Sequence, residues 1–266
     1  MNEAELVLTH ILDCNRASLY QRRAQGLDRE TCARISSVLK RRALAEPLAY
    51  ILGKADFMGF EFFVTADALI PRQETEILVE TVMRYVSNLQ PPASGLQALD
   101  IGTGSGCIAV SLAKLLTDAH ITATDISEEA LSLARRNAKF HDVGHIVHFV
   151  QSDLFNSDEL RAKPYDLIIS NPPYVRSDDI ATLQPEVRHE PRIALDGGAD
   201  GLDFYRRIVR QAPAYLRQGG FLMLEIGFDQ KEEIKNIFKN AHNFEIIEFV
   251  RDYNRFERVV VAKRIG

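Results

Sequence analysis

From residue 97 onward the chain alternates short apolar runs with amphipathic stretches, and this alternation constrains the fold more than any other feature. Buried strands are expected over residues 97–101, 121–125, 146–151, 166–170 and 221–226. Helices are expected over 106–116, 128–140, 203–216 (despite Pro213 near its end) and 230–240. A closing pair of strands is expected over 244–251 and 256–263, joined by a short turn. Strands separated by helices form βαβ units, so the sheet is mostly parallel and covered on both faces, and the final pair leaves one strand antiparallel. The class is α/β, with a Rossmann-like, doubly wound sheet. No internal repeat or low-complexity run interrupts it.

The preceding residues read differently. Leu6, Val7, Leu8, Ile11 and Leu12 fit one face of a short helix, and a second pattern runs from Arg29 through Ile35, Val38 and Leu39 to Leu44, with Asp28 as its N-cap. Arg22, Arg23, Arg41 and Arg42 make this part positive, as either a solvated face or a partner-binding surface. Residues 46–53 and the aromatic stretch Phe57, Phe60, Phe62, Phe63, broken by Gly59, suggest a β-hairpin or ordered linker. A further helix follows from Glu74, with Leu78, Val82, Tyr85, Val86 and Leu89 on one face, ended by Pro91-Pro92. The expected divisions are 1–55 (helical), 56–73 (hairpin linker) and 74–266 (catalytic).

Composition narrows the classes. The chain has 266 residues, 46% hydrophobic and 26% charged, enough apolar side chain for a real core. A net charge of −5 argues against a surface given over to nucleic acid phosphates. Cys14, Cys32 and Cys107 form no C-x-x-C pair and sit at no zinc-ligand spacing, so no metal is expected and the thiols read as reduced. The first residues carry Glu3 and Glu5 rather than a basic run, so no secretory leader is expected. No stretch of about 18 apolar residues suggests a membrane helix. A cytoplasmic location is expected.

The candidate binding site begins with Ala98-Leu-Asp100-Ile-Gly102-Thr103-Gly104-Ser105-Gly106, which ends a strand and opens a helix. Glycines there let the backbone turn tightly and approach a ligand. The spacing is G-x-G-x-G and no Lys-Ser/Thr pair follows, so this is neither the usual dinucleotide fingerprint nor a P-loop. Asp125 ends the next strand, where a carboxylate can accept both hydroxyls of a ribose; it could instead cap the following helix, as could Ser127. Asp100 could brace the loop amides or meet the amino acid end of a ligand. Asp153 follows the third strand, where an adenine edge is expected. Three acids at the ends of three successive strands outline a nucleoside-shaped site.

Asn171-Pro172-Pro173-Tyr174 directly follows the fourth strand. An amide nitrogen shares its lone pair with a π-system and is a poor nucleophile. Accepting both of its N–H bonds orients that lone pair. The Asn171 side-chain carbonyl and the Pro172 backbone carbonyl can do so, and Tyr174 offers a ring wall. These residues resemble the class I S-adenosylmethionine methyltransferases, whose seven-stranded sheet has a reversed last hairpin.

Further stretches narrow the resemblance: Glu46-Pro-Leu-Ala-Tyr-Ile-Leu-Gly53, Leu69-Ile-Pro-Arg72-Gln-Glu74, Glu190-Pro-Arg-Ile-Ala-Leu-Asp-Gly-Gly198 with Gly201-Leu202, Leu224-Glu225-Ile-Gly227 and Glu257-Arg258-Val. Nearly the whole chain is similar to the PrmC/HemK family, which methylates the glutamine of the Gly-Gly-Gln loop in class-1 peptide chain release factors at N5. The resemblance implies that Gly102 to Gly106, Asp125, Leu154 and Asn171 bind S-adenosylmethionine, with S-adenosylhomocysteine as product, and that Asn171 to Tyr174 hold the glutamine. It further implies a small helical N-terminal domain and a release factor as partner; these helices are expected to dock the protein substrate because they add surface that the chemistry does not need, and no direct nucleic acid contact, no membrane contact and a monomer are expected. Two positions depart from the pattern: Gln73 replaces a usual Pro, and Leu154 stands where some members carry an aromatic that stacks on adenine. A ribosomal-protein glutamine methyltransferase, an adenine-N6 DNA methyltransferase and a non-catalytic release-factor-binding protein are the alternatives.

Overall fold

The computed structural model describes residues 2–21, 24–86, 95–116, 118–161 and 164–266. Arg22, Arg23, Leu89 and Pro91-Pro92 lie outside the described residues. Four helices come first: α1 (Glu3–Ile11), α2 (Arg16–Gln21), α3 (Arg29–Ala43) and α4 (Leu48–Leu52). Asn2 and Glu5 cap α1 reciprocally, and Asp28 caps α3 by accepting from the Thr31 amide at 2.7 Å. Of the expected apolar face of α1, Val7 and Ile11 are buried. On and just after α3, Leu39 and Leu44 face solvent instead, at 60% and 75% exposure. Arg41 pairs with Glu46, and Arg42 bridges Glu3 and Glu186, so these two cations already have partners and the Arg42 bridge ties α1 and α3 to the segment at residue 186.

The aromatic stretch is a hairpin, β1 (Lys54–Phe57) and β2 (Phe60–Phe63), turning at Met58-Gly59. Phe57 and Phe62 are buried under it, and it joins α5 (Gln73–Val86) through an extended strap, residues 64–72.

The remaining elements are β3 (Leu96–Ile101), α6 (Cys107–Leu115), β4 (Ala119–Asp125), α7 (Glu128–Phe140), β5 (Val147–Gln151), β6 (Tyr165–Ser170), α8 (Asp203–Gln211), β7 (Leu216–Glu225), α9 (Lys231–Ala241), β8 (Phe244–Arg251) and β9 (Glu257–Arg264). Seven strands form one sheet in the order β5-β4-β3-β6-β7-β9-β8. Pairings from β5 to β7 are parallel, and β9 runs antiparallel to both of its neighbours. Side chains alternate between two cores. Ala98, Leu167, Met223 and Val261 pack with Leu78, Val82, Ile108 and Leu112 of α5 and α6, while Leu99, Ile168, Leu222 and Val260 pack with Tyr205, Ile208, Ile234 and Phe238 of α8 and α9. The period of two in strands and the single buried stripe of each helix produce this division.

The structure corrects the expected helix over 203–216. It ends at Gln211, one 3₁₀ turn holds Pro213, and Leu216 already pairs with Tyr165 as the first residue of β7. A strand interrupted by Gly219-Gly220 lacks the apolar run that marks its second half. The register shifts between Tyr165 and Leu167, which accommodates these glycines.

The chain leaves β3 towards β4 and β5 on one side, then crosses back to place β6 on the other. The point where strand order reverses is where an open α/β sheet binds ligands. Here it lies between β3 and β6, with Ile101 opposite Ser170.

Candidate active site

Two loops leave the sheet side by side at that point. Ser170 Oγ donates to the Ile101 carbonyl at 2.7 Å, so the glycine loop and the Asn-Pro-Pro-Tyr motif start from one rung of the ladder. Between them opens a cleft lined by Gly102, Thr103, Gly104, Ser105, Asp125, Asp153, Leu154, Asn171, Pro172 and Pro173. The strap (Asp67 to Arg72) and residues 191–194 line its other side. Asp100, Gly106 and Tyr174 stand behind this lining.

The glycine loop is held from below. Gly102, Gly104 and Gly106 all have positive φ (71°, 56° and 81°). At Gly102 a Cβ would meet nothing, so the backbone there lies bare to the cleft; at Gly106 it would come within 2.9 Å of the Ala134 Cβ, so the glycine lets α6 and α7 touch. Thr103 donates its hydroxyl to Asp100 Oδ2 at 2.7 Å. Asp100 is fully buried, its Oδ1 has no partner among the described residues, and burial raises its pKa to about 7. Cys107 is buried in the adjoining core, where burial pushes the thiol up to about 12; it packs.

Asp125 spans the two flanking turns. Its Oδ2 accepts the Gly104 amide at 2.9 Å and its Oδ1 accepts the Ser127 amide at 3.0 Å. Ser127 caps α7 through the Ala130 amide, so Asp125 is not the cap. Burial raises the Asp125 pKa, and the amide bonds from Ser127 and Gly104 oppose the rise. Asp153 makes a two-pronged ion pair with Arg207 of α8, both contacts at 2.7 Å, so its carboxylate enters the cleft wall already neutralised. Leu154 is buried at φ +55°, a left-handed conformation uncommon for a branched side chain.

The Asn-Pro-Pro-Tyr backbone is clamped. Gln230 Nε2 donates to the Tyr174 carbonyl at 3.1 Å, and the Val175 amide donates to Leu195 at 2.9 Å. Gly197 and Gly201 let their loop press against this segment: a Cβ on Gly197 would sit 2.8 Å from the Pro173 carbonyl oxygen, and one on Gly201 2.5 Å from that of Tyr174. The Asn171 Nδ2 donates to Thr75 Oγ1 at 3.0 Å. Among the described residues, nothing bonds the Asn171 side-chain carbonyl or the Pro172 carbonyl, so two acceptors on adjacent residues remain unengaged. Tyr174 does not wall the cleft. Its ring packs on the α8–α9 core, its hydroxyl donates to Glu225 Oε1 at 3.4 Å, and burial raises its pKa.

Thr75, Glu190, Arg207 and Glu225 were not foreseen as site residues. Glu190, buried, accepts the Ile70 amide at 3.1 Å and pairs with Arg72, fastening the strap to the far rim. Glu225 is fully buried at the end of β7. The stretches around Arg72, Glu190 and Glu225 stood out in sequence, but only folding brings them together. Among the described residues no three His, Cys, Asp or Glu side chains converge as a metal site would require.

A sheet of this order, with its reversed last hairpin and a glycine loop at the reversal point, is the fold of a class I methyltransferase. Residues 75–189 match the methyltransferase small domain, and residues 1–53 match the PrmC N-terminal domain. The release factor glutamine methyltransferase of Geobacter sulfurreducens is 44% identical over 99% of this chain and 89% of its own, and that of Chlorobaculum tepidum is 39% identical over 96% and 87%. A methyltransferase structure from Pyrococcus furiosus superposes with a TM-score of 0.56 at 20% identity, covering 88% of this chain and 98% of that one, a likeness of fold alone. The chain belongs to the release factor glutamine methyltransferase family.

Proposed function

We propose that this protein transfers a methyl group from S-adenosylmethionine to the side-chain amide nitrogen of the glutamine in the Gly-Gly-Gln loop of class-1 release factors, acting in the cytoplasm. The observation that carries this reading is the pair of acceptors, Asn171 Oδ1 and Pro172 O, that no described residue engages, just past the strand that pairs with the one leading into the glycine loop. Two N–H donors on one nitrogen match two acceptors on adjacent residues; a ring nitrogen with no proton to give would not.

The cleft suits the cofactor. The bare backbone at Gly102, the carboxylate of Asp125 at its floor and the apolar faces of Leu154 and Ile126 offer amides, a hydroxyl acceptor and a surface for a flat base. When bound, S-adenosylmethionine supplies a methyl on a positively charged sulfur, an electrophile with its leaving group already attached. Gly102 to Gly106, Asp125, Asp153 and Leu154 hold it, with Asp100 behind bracing the loop through Thr103. Asn171 and Pro172 accept the two amide protons, turn the nitrogen lone pair towards the methyl and raise its basicity as the bond forms. As the new N–C bond forms, the S–C bond would break to leave S-adenosylhomocysteine, and one N–H proton passes to solvent water, which completes the secondary amide. Pro173 stiffens the turn, and Tyr174 buttresses it from behind.

Residues 1–55 form the substrate-docking part, 56–73 the linker and 74–266 the catalytic part in this reading. Exposed Leu39 and Leu44 support it, because apolar surface that the chemistry does not use is available to a protein partner. Labelled methyl transferred to a purified class-1 release factor, and none to a control with Ala at the loop glutamine, is the expected result. Label on ribosomal protein and none on the release factor would refute the proposed substrate.

A further inference from the structure

The strap lies between the two matched segments, residues 1–53 and 75–189, yet Asp67 to Arg72 border the cleft. Near one end Ala68 is buried against Ala130 and Leu133 of α7, and a Cβ on Gly104 would lie 3.9 Å from its own. At the other end the strap runs into α5, where Thr75 accepts the Asn171 Nδ2 proton at 3.0 Å. Leu69, Ile70 and Pro71 line the cleft between these points. The strap thus reaches from the glycine loop to the first residue of the Asn-Pro-Pro-Tyr motif.

An extended segment outside any sheet lacks the ladder bonds that fix a strand, so its position is set by bonds to its surroundings. Inside the strap the Ala68 amide reaches the Thr65 carbonyl at 3.4 Å, a long bond. Two holds come from outside. Glu190, on the far rim, takes the Ile70 amide at 3.1 Å and the Arg72 guanidinium. The second hold is Tyr50 of α4, whose hydroxyl donates to the Ala68 carbonyl at 2.7 Å. Tyr50 sits in the Glu46–Gly53 stretch of the helical part, so a residue from outside the catalytic part grips the strap where it meets the glycine loop.

We propose that Tyr50 is a positioning residue for methyl transfer: its hydroxyl holds the strap across the cleft between Gly104 and Asn171, so the helical part completes the active site. This rests on the reading above, in which the methyl passes between those two loops. Without the hydroxyl the Ala68 carbonyl must turn to water, and the cleft-facing residues beside it move with it. A hydrogen bond of ordinary strength shifts such an equilibrium by about threefold to tenfold, which sets the size of the effect.

The test uses the full-length enzyme, labelled S-adenosylmethionine and two substrates, a purified release factor and a free Gly-Gly-Gln peptide. Tyr50→Phe keeps the ring and removes the hydroxyl. Expected is a kcat lower by about threefold to tenfold on both substrates alike, with KM for the release factor and Kd for S-adenosylmethionine within about twofold of wild type. Hydrogen exchange of the free enzyme should quicken by about threefold to tenfold over residues 64–72 and stay unchanged in β3 to β6, since a general loss of stability would quicken both. A Y50F enzyme with normal kcat on both substrates would overturn the proposal. An effect confined to the intact release factor would do the same, since Tyr50 would then serve docking, and so would a lower kcat without faster exchange in the strap. Should Y50F fail to fold, Glu190→Gln, which leaves one acceptor for two donors at the other hold, takes its place, and an unchanged kcat there overturns the proposal alone. A wild-type enzyme that labels neither substrate overturns the substrate reading and this inference with it; an active wild type matched by Y50F overturns this inference only.

Discussion

In the proposed reaction Asn171 is the residue on which methyl transfer turns, because its side-chain carbonyl is one of two acceptors at the end of β6 that no described residue engages. Replacing it with Ala removes that acceptor and the bond to Thr75. Methyl transfer should fall by about 10²–10³-fold, with S-adenosylmethionine affinity reduced far less; turnover assays and titration calorimetry separate the two. Glu225 carries a second expectation. Burial is the largest cause lifting its carboxyl from 4.5 to about 7. A carboxyl with a raised folded-state pKa keeps its proton in the folded chain after the unfolded chain has lost it. Its contribution to stability therefore declines as pH rises from about 4.5 to about 7 and stays low above that. Asp100, raised to about 7 for the same reason, adds a slope of the same sign, but it is common to wild type and a Glu225→Gln variant. The Tm of E225Q should accordingly gain on wild type between pH 5 and pH 8, and a constant difference across that range would refute the argument.

At the level of elements, the glycine loop and the turn that follows it show how local geometry sets the site. An alanine at Gly106 must adopt φ +81° and place its Cβ 2.9 Å from that of Ala134. Gly106→Ala should cost about 2 kcal/mol or more, since the left-handed conformation alone costs 1–2 kcal/mol for an L-residue; urea unfolding measures this. Elements of this kind were legible in the sequence because their signals are contiguous. Strands β3 to β6 are short runs with aliphatic or aromatic residues at most of their buried positions, and the Gly-x-Gly-x-Gly and Asn-Pro-Pro-Tyr stretches state their backbone requirements in order. Helices α2 and α4 span six and five residues, too short for periodicity to register. The start of β7 was hidden by Gly219-Gly220. Thr75, Arg207 and Glu190 escaped as site residues for a different reason: each acts on a partner more than fifty positions away, and no local pattern records such a pairing.

Across the whole molecule, the Arg42 bridge from Glu3 to Glu186 joins the helical part to the catalytic part, and the Arg72–Glu190 pair, with its carboxylate buried, joins the linker to it. An interface fastened in this way holds Leu39 and Leu44 in a fixed position relative to the cleft. Replacing both with Asp should leave Tm nearly unchanged, because both are largely exposed, while raising KM for an intact release factor about tenfold and leaving a free Gly-Gly-Gln peptide unaffected. Steady-state assays on the two substrates check this; equal effects on both would count against docking. The rung that joins Ile101 to Ser170 has a final consequence. Neighbouring strands in any sheet stand about 4.8 Å apart, a spacing dictated by backbone hydrogen bonds and indifferent to side chains. If donor and acceptor are each delivered by a loop springing from one of these two strands, the peptide backbone itself is the ruler for the methyl's journey. Evolution is then free to redraw the N-terminal helices, because no surface substitution can lengthen the step.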